Sequence, residues 1–195
     1  VVYVASPHTS HCEDTIRYLE AGKAVLCEKP LAVNQHQVER MLQTAEREQR
    51  FLMEGMWTRF LPATEHFLEL IRDGAVGKPT LMTANFCFAS DPDPSGRHRN
   101  RDLAGGALLD VGIYPLSMAL FLFGYPDRIL ASSTQTASGV DGFNQIHLHY
   151  PNGTEAILHS SIESWSSIEA IVYGSNKRAV RLDFPFFRAK SVTQF

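Results

Sequence analysis

Up to about Phe60, hydrophobic positions come in short runs separated by amphipathic stretches. Val1-Val2-Tyr3-Val4-Ala5, Ala24 to Cys27 and Phe51 to Met53 are brief and apolar, as strands covered on both faces are. After the first run, Ser10 and Glu13 form an S-x-x-E capping box. It predicts a helix to Ala21, with Gly22 just past the end. After the second run, Asn34 with Gln37 starts another helix, and Val38, Met41, Leu42 and Ala45 form its apolar stripe. Strand, helix, strand, helix, strand at this spacing predicts βαβ units on a parallel sheet. Ligands of such sheets sit beyond the carboxyl ends of the strands. That rim collects Ser6-Pro7-His8, Glu28-Lys29 and the stretch from Glu54 to Arg59.

The period changes after Pro62. A helix is predicted to about Asp73, with Ala63, Phe67, Leu70 and Ile71 facing inward. From Thr80 to Phe88, Met82, Ala84, Phe86 and Phe88 alternate with other residues, the pattern of a half-buried strand. A polar loop, Asp91 to Asp102, leads into an apolar segment from Gly106 to Phe123. Asp110 and Pro115 interrupt that segment, which favours a buried helix over a membrane span. Strand patterns recur at Ile129–Thr134, Asn144–Tyr150, Thr154–Ile162, Ile168–Tyr173 and Ala179–Phe184, and Asn152-Gly153 is a hairpin signal. This half is therefore α+β with a mostly antiparallel sheet, following an α/β first part. Val1 lies inside a strand-like run, and Phe184-Pro185-Phe186-Phe187 is an aromatic cluster near the other end. Both ends are expected to need packing partners that the chain lacks.

The chain has 195 residues, 44% of them hydrophobic, and a net charge of -3. Length and composition suit one or two globular domains, and the acidic balance argues against a nucleic-acid-binding protein. Cys12, Cys27 and Cys87 have no metal-like spacing. They read as free thiols in a reducing compartment, hence a cytoplasmic protein.

Two constellations carry candidate chemistry. Lys29 ends a strand immediately before Pro30, which biases it toward an extended backbone at the ligand rim. A solvent-exposed lysine in a turn fits the same position, and Glu28 beside it fits either a sugar-hydroxyl acceptor or a surface carboxylate. The second is the stretch from Gly105 to Pro115. On a helix, Asp110 and Tyr114 are four apart and share a face. A lone carboxylate in so apolar a segment is costly unless paired or at a site. Pro115 removes a backbone donor and would kink or restart the helix, while Gly112 admits a close neighbour. A core helix with one satisfied aspartate remains the plainer alternative. His147 and His149 face one way on a strand, but two ligands without a third make no metal site. The run Arg97-His98-Arg99-Asn100-Arg101 reads as a solvated loop.

Ser6-Pro7-His8 with His11, Glu28-Lys29-Pro30, the run from Trp57 to Pro62, and Gly105-Gly106 through Asp110-Val111-Gly112-Ile113-Tyr114 follow one another in a specific order. Together they resemble the glucose–fructose oxidoreductase/inositol dehydrogenase family, Gfo/Idh/MocA, and most closely its dimeric dihydrodiol dehydrogenase and glucose–fructose oxidoreductase branches. The resemblance implies the remainder of a Rossmann domain over residues 1–60 and a substrate and oligomerisation domain, incomplete at its C-terminus, over residues 61–195. It implies hydride transfer between NADP, or NAD, and a hydroxyl of a sugar, polyol or trans-dihydrodiol. Lys29, Tyr114 and Asp110 are then the catalytic group, with Lys29 lowering the Tyr114 pKa or itself serving as the base. Ser6, Pro7, His8, His11, Glu28, Lys29, Trp57 and Arg59 face the cofactor, and Arg101, Asp110 and Tyr114 the substrate. No metal is implied, and a homodimer or homotetramer through the C-terminal sheet is. The glycine-rich pyrophosphate loop and the residues that choose NAD or NADP have no counterpart here, so the 195 residues alone are expected to bind cofactor poorly. A non-catalytic, dinucleotide-sensing regulatory or binding protein on the same fold is the alternative.

Overall fold

A computed structural model describes all residues, 1–195. The first part is a three-stranded parallel sheet of β1 (Val2–Val4), β2 (Val25–Cys27) and β3 (Leu52–Glu54), in that order. Helices α1 (His11–Glu20) and α2 (Gln35–Arg47) make the crossovers. Val4, Leu19, Val25, Cys27 and Met41 form their shared core. As expected, the Asn34 side chain caps α2 by accepting from the Gln37 N–H, and Gly22 leaves α1 at φ +74°.

Two local expectations need correcting. Ser10 makes no side-chain cap, because a 3-10 turn at His8–Ser10 has already put its backbone in the helical region. The inward stripe of α2 runs through Val38, Met41 and Ala45, with Thr44 buried beside them; Leu42, one step further round the helix, is 52% exposed.

The second part is a seven-stranded sheet. After α3 (Pro62–Arg72) come β4 (Pro79–Cys87), α4 (Ile113–Phe123) and β5 (Arg128–Gln135). Then follow β6 (Asp141–His149), β7 (Glu155–Ser161), β8 (Ala170–Gly174), β9 (Ala179–Leu182) and β10 (Val192–Gln194). The strand order is β10-β9-β8-β4-β7-β6-β5, and only the β4–β7 pair is parallel. Helices α3 and α4 cover one face, where Phe67, Met82, Val111, Leu158 and Phe186 are buried. The other face is half-exposed along β6 and β7, whose buried residues alternate with partly exposed ones.

The segment Arg101–Phe123 is long and apolar enough to cross a membrane, with mean hydropathy 1.7. Here its helical part packs on β4 and β7. The aromatic cluster after β9 is not exposed as expected. A 3-10 turn at Phe186–Arg188 folds back so that Phe186 is fully buried, and β10 pairs with β9. Only Phe184 stays outside, 66% exposed.

Candidate active site

The exits of β1 and β2 form one wall of a cleft of about 430 Å³. Ser6, Pro7, His8 and His11 line it from the first exit, Glu28 and Lys29 from the second, and Arg97 reaches in from the opposite domain. A second cleft of about 320 Å³ opens against the large sheet, between Phe86 of β4, Phe88 just after it, and the start of α4. Lys29 and Arg97 line both, so they stand at the junction.

The lysine is held by an unusual helix start. Leu108–Gly112 is a turn of π-helix leading directly into α4, a distortion often found at functional sites. In that wider register the Asp110 carbonyl looks to position 115 for a donor, and Pro115 has no N–H. The Lys29 ammonium takes the place, donating to the Asp110 carbonyl at 2.6 Å and to its Oδ1 at 3.3 Å. The Lys29–Pro30 peptide is cis. Gly106, at φ +123°, allows the turn to begin, since a Cβ there would meet the Asp141 carboxylate. Gly112 sits against Ser160 of β7, where a Cβ would come within 2.8 Å of its hydroxyl. The close approach expected at Gly112 is therefore made by the sheet.

Asp110 is only 4% exposed and gathers three basic groups. Besides Lys29, Arg97 Nη1 donates to Oδ1 at 3.1 Å, and His98 Nε2 stands 3.4 Å from Oδ2. Burial alone would push the carboxyl up, but Lys29, Arg97 and His98 outweigh it and hold the carboxyl below its ordinary range. Burial and then Arg97 lower the His98 pKa, which favours the neutral imidazole. The loop carrying these residues is not merely solvated, as its sequence reads: Arg97 answers Asp110, and Arg99 answers Glu163 at 3.2 Å.

Tyr114 faces the same cleft, packed against Phe86 and Phe187 at ring distances of 5.4 and 5.7 Å. Phe187 itself stacks on Phe86 at 4.5 Å. The Tyr114 hydroxyl accepts a hydrogen bond from Trp57 Nε1 at 3.3 Å. The expectation that Lys29 draws this hydroxyl toward tyrosinate is overturned. Lys29 Nζ lies over the ring, 5.1 Å from its centroid, and its charge is answered by Asp110. Burial pushes the Tyr114 pKa up; Trp57 opposes this, while Asp110 and Glu28 add to it.

The other expected site residues divide. His11 is buried, its two ring nitrogens 2.8 Å from the Pro30 carbonyl and 2.9 Å from that of Ser6, tying the β1 and β2 exits together. His8 meets the Ala104 carbonyl at 3.3 Å, and burial lowers its pKa. Ser6 donates to Asp14, and Glu28 accepts from the Tyr3 hydroxyl. Arg59 turns away from the cofactor cleft, bonding Ser117 at 3.2 Å and lying over Phe121 on the far side of α4. Arg101 is exposed and lines neither cleft; Arg97, four residues earlier, occupies the position expected of it. Arg97, His98 and Phe187 were not singled out from sequence. For Arg97 and His98 the signal is the basic run itself, set thirteen residues or fewer before Asp110.

Residues 1–56 match the family model described as "Oxidoreductase family, NAD-binding Rossmann fold", and residues 65–180 match "GFO/IDH/MocA C-terminal domain". The chain belongs to this family. It is 37% identical over 177 residues to a trans-1,2-dihydrobenzene-1,2-diol dehydrogenase of Danio rerio, covering 90% of this chain and 52% of that protein. It is 37% identical over 182 residues to an NADP(+) scyllo-inositol 2-dehydrogenase of Bacillus subtilis, covering 90% and 54%. The fold matches the crystal structure of an aldose-aldose oxidoreductase from Caulobacter crescentus complexed with glycerol. That match has a TM-score of 0.90 at 32% identity and covers 99% of this chain and 58% of the other. The chain thus spans about half the length of the curated relatives it matches.

Proposed function

We propose that the whole protein is an NADP-dependent oxidoreductase acting on a CH–OH group of a sugar, polyol or trans-dihydrodiol. The carrying observation is Lys29, which lines both clefts, is anchored to Asp110 and lies beside Tyr114. The first cleft fits the nicotinamide end of a dinucleotide: it lies at the carboxyl edge of parallel strands, is lined mostly by polar and charged residues, and has the volume of a small-ligand site. Ser6, Pro7, His8, His11 and Glu28 would hold that end, and Lys29 stands at its border with the second cleft. The chemistry a bound nicotinamide supplies is hydride transfer. NADP is preferred over NAD because similar curated dehydrogenases are named for it.

The residues divide the remaining work. An ammonium has three donors, and Asp110 uses two of Lys29's, leaving one for a substrate oxygen. Tyr114, with its pKa raised by burial, keeps its proton at neutral pH and serves as the acid when a carbonyl is reduced. The Lys29 charge stabilises the oxygen as it becomes anionic. In the oxidative direction Tyr114 must first give up its own proton to solvent, and its phenolate oxygen then takes the substrate's hydroxyl proton while Trp57 Nε1 donates to that oxygen and orients it. Phe86, Phe88 and Phe187 offer an apolar wall, and Asp110 and Arg97 a polar one, as a ring bearing hydroxyls on one edge requires. A purely sensing protein has no use for so costly a buried lysine–aspartate pair, which disfavours that reading.

The half-exposed sheet face supports self-association as a homodimer or homotetramer. Three free, buried cysteines are in keeping with a cytoplasmic location. The test is turnover by the whole protein with NADP(+) and a panel of trans-dihydrodiols, aldoses and inositols, followed by nicotinamide absorbance. Reduction of NADP(+) with at least one class is expected. Tight dinucleotide binding without turnover on any of them would favour the sensing reading.

A further inference from the structure

The open face of the large sheet carries a second cluster that hydride transfer does not use. His147 and His149 project from β6 on the side away from the core, two residues apart, with ring centroids 4.1 Å apart. In the antiparallel register His149 lies directly opposite Glu155 of β7, and His147 two pairs further along, opposite Ile157. Glu155 is therefore the third ligand that the histidine spacing lacks on its own. Its Oε2 stands 3.0 Å from His147 Nε2 and its Oε1 3.3 Å from His149 Nδ1. One ligand atom from each residue falls within 4.8 Å of the others.

We infer that His147, His149 and Glu155 form a binding site for a divalent transition-metal ion of the zinc class. Atoms held about 2.0–2.1 Å from zinc at tetrahedral angles lie about 3.4 Å apart, close to both contacts observed here. Two imidazoles and one carboxylate are the ligand types such ions take, and magnesium or calcium would require oxygen donors instead. Two hydrogen-bonded strands fix the backbone of all three ligands, so little ordering remains to be done on binding. The side chains are 25–45% exposed in the single chain, which leaves the fourth position to a water or to a group of a second copy packed on this face. Arg128, paired across β5 from His149, adds a nearby positive charge, so the expected affinity is micromolar rather than tighter.

The test is calorimetric titration with Zn²⁺, together with the visible spectrum of the Co²⁺ form. The proteins are the wild type, Glu155→Gln, and the double variant His147→Ala/His149→Ala, each checked for folding by circular dichroism. The wild type is expected to bind one ion per chain, to show a tetrahedral Co²⁺ band and to unfold at higher temperature with Zn²⁺. Glu155→Gln, close to isosteric, should bind about tenfold or more weakly. The double variant should lose the Co²⁺ band and the thermal shift. Absence of stoichiometric binding in the folded wild type would overturn the assignment. So would equal binding by Glu155→Gln, which keeps the test decisive if the double variant does not fold.

Discussion

Asp110 and Glu155 each gather basic groups around one carboxylate, yet they sit in opposite settings. Asp110 is 4% exposed, at the junction of two clefts, with Lys29, Arg97 and His98 about it. The Glu155 side chain is 45% exposed on an open sheet face, with His147 and His149. The difference lies in the cost of breaking each group. A buried charge that loses its partner stays in a poor solvent, so Asp110 is committed to Lys29. At Glu155 water can replace either histidine, so its contacts are worth little by themselves and its ligands are free to turn to an ion.

The largest expected effect follows directly. Asp110→Asn leaves Lys29 and Arg97 uncompensated and should cost about 3 kcal/mol in denaturant unfolding. Glu155→Gln should cost less than about 1 kcal/mol in the same measurement. Equal costs would dissolve the contrast. The pH dependence sharpens it. Because the Asp110 pKa is depressed on folding, its contribution is present above the unfolded value of about 3.9 and is lost as pH falls through the lower folded value. Unfolding followed between neutral pH and the acid range should show that loss in the wild type and a flatter slope in Asp110→Asn.

Tyr114→Phe keeps the ring against Phe86 and Phe187, so stability should change by less than about 1 kcal/mol. Turnover by the whole protein should nevertheless fall by about a hundredfold or more. The smallest effect separates two neighbouring arginines: Arg97→Ala should raise the substrate KM, while Arg101→Ala should leave steady-state kinetics unchanged.

Much of this was legible in sequence where one residue type has few uses. A strand ending in Glu28-Lys29-Pro30 and a lone Asp110 in an apolar helix both point to the candidate clefts that these residues line, and the βαβ rhythm predicts the first sheet. What escaped was set by distant contacts. No local pattern says that Phe187 would fold back onto Phe86, or that Arg97 rather than Arg101 would reach Asp110. The direction of the Tyr114 shift is set first by burial in the folded protein, while Lys29 lies over the ring with its charge answered by Asp110. Pro115 was informative in a way that needed the helix register: it counts as a missing donor for Asp110 only once the turn is known to be π. Likewise His147 and His149 gained a third partner only from the pairing of β6 with β7.

In the proposed mechanism Lys29 serves the reacting oxygen at the junction of the two clefts and not the cofactor's grip. Single-turnover hydride transfer in the whole protein, compared between wild type and Lys29→Met alongside the NADPH Kd from fluorescence titration, tests this most directly. The prediction is a rate lowered by about a hundredfold or more with the Kd little changed. An unchanged rate, or a loss confined to cofactor affinity, would contradict it.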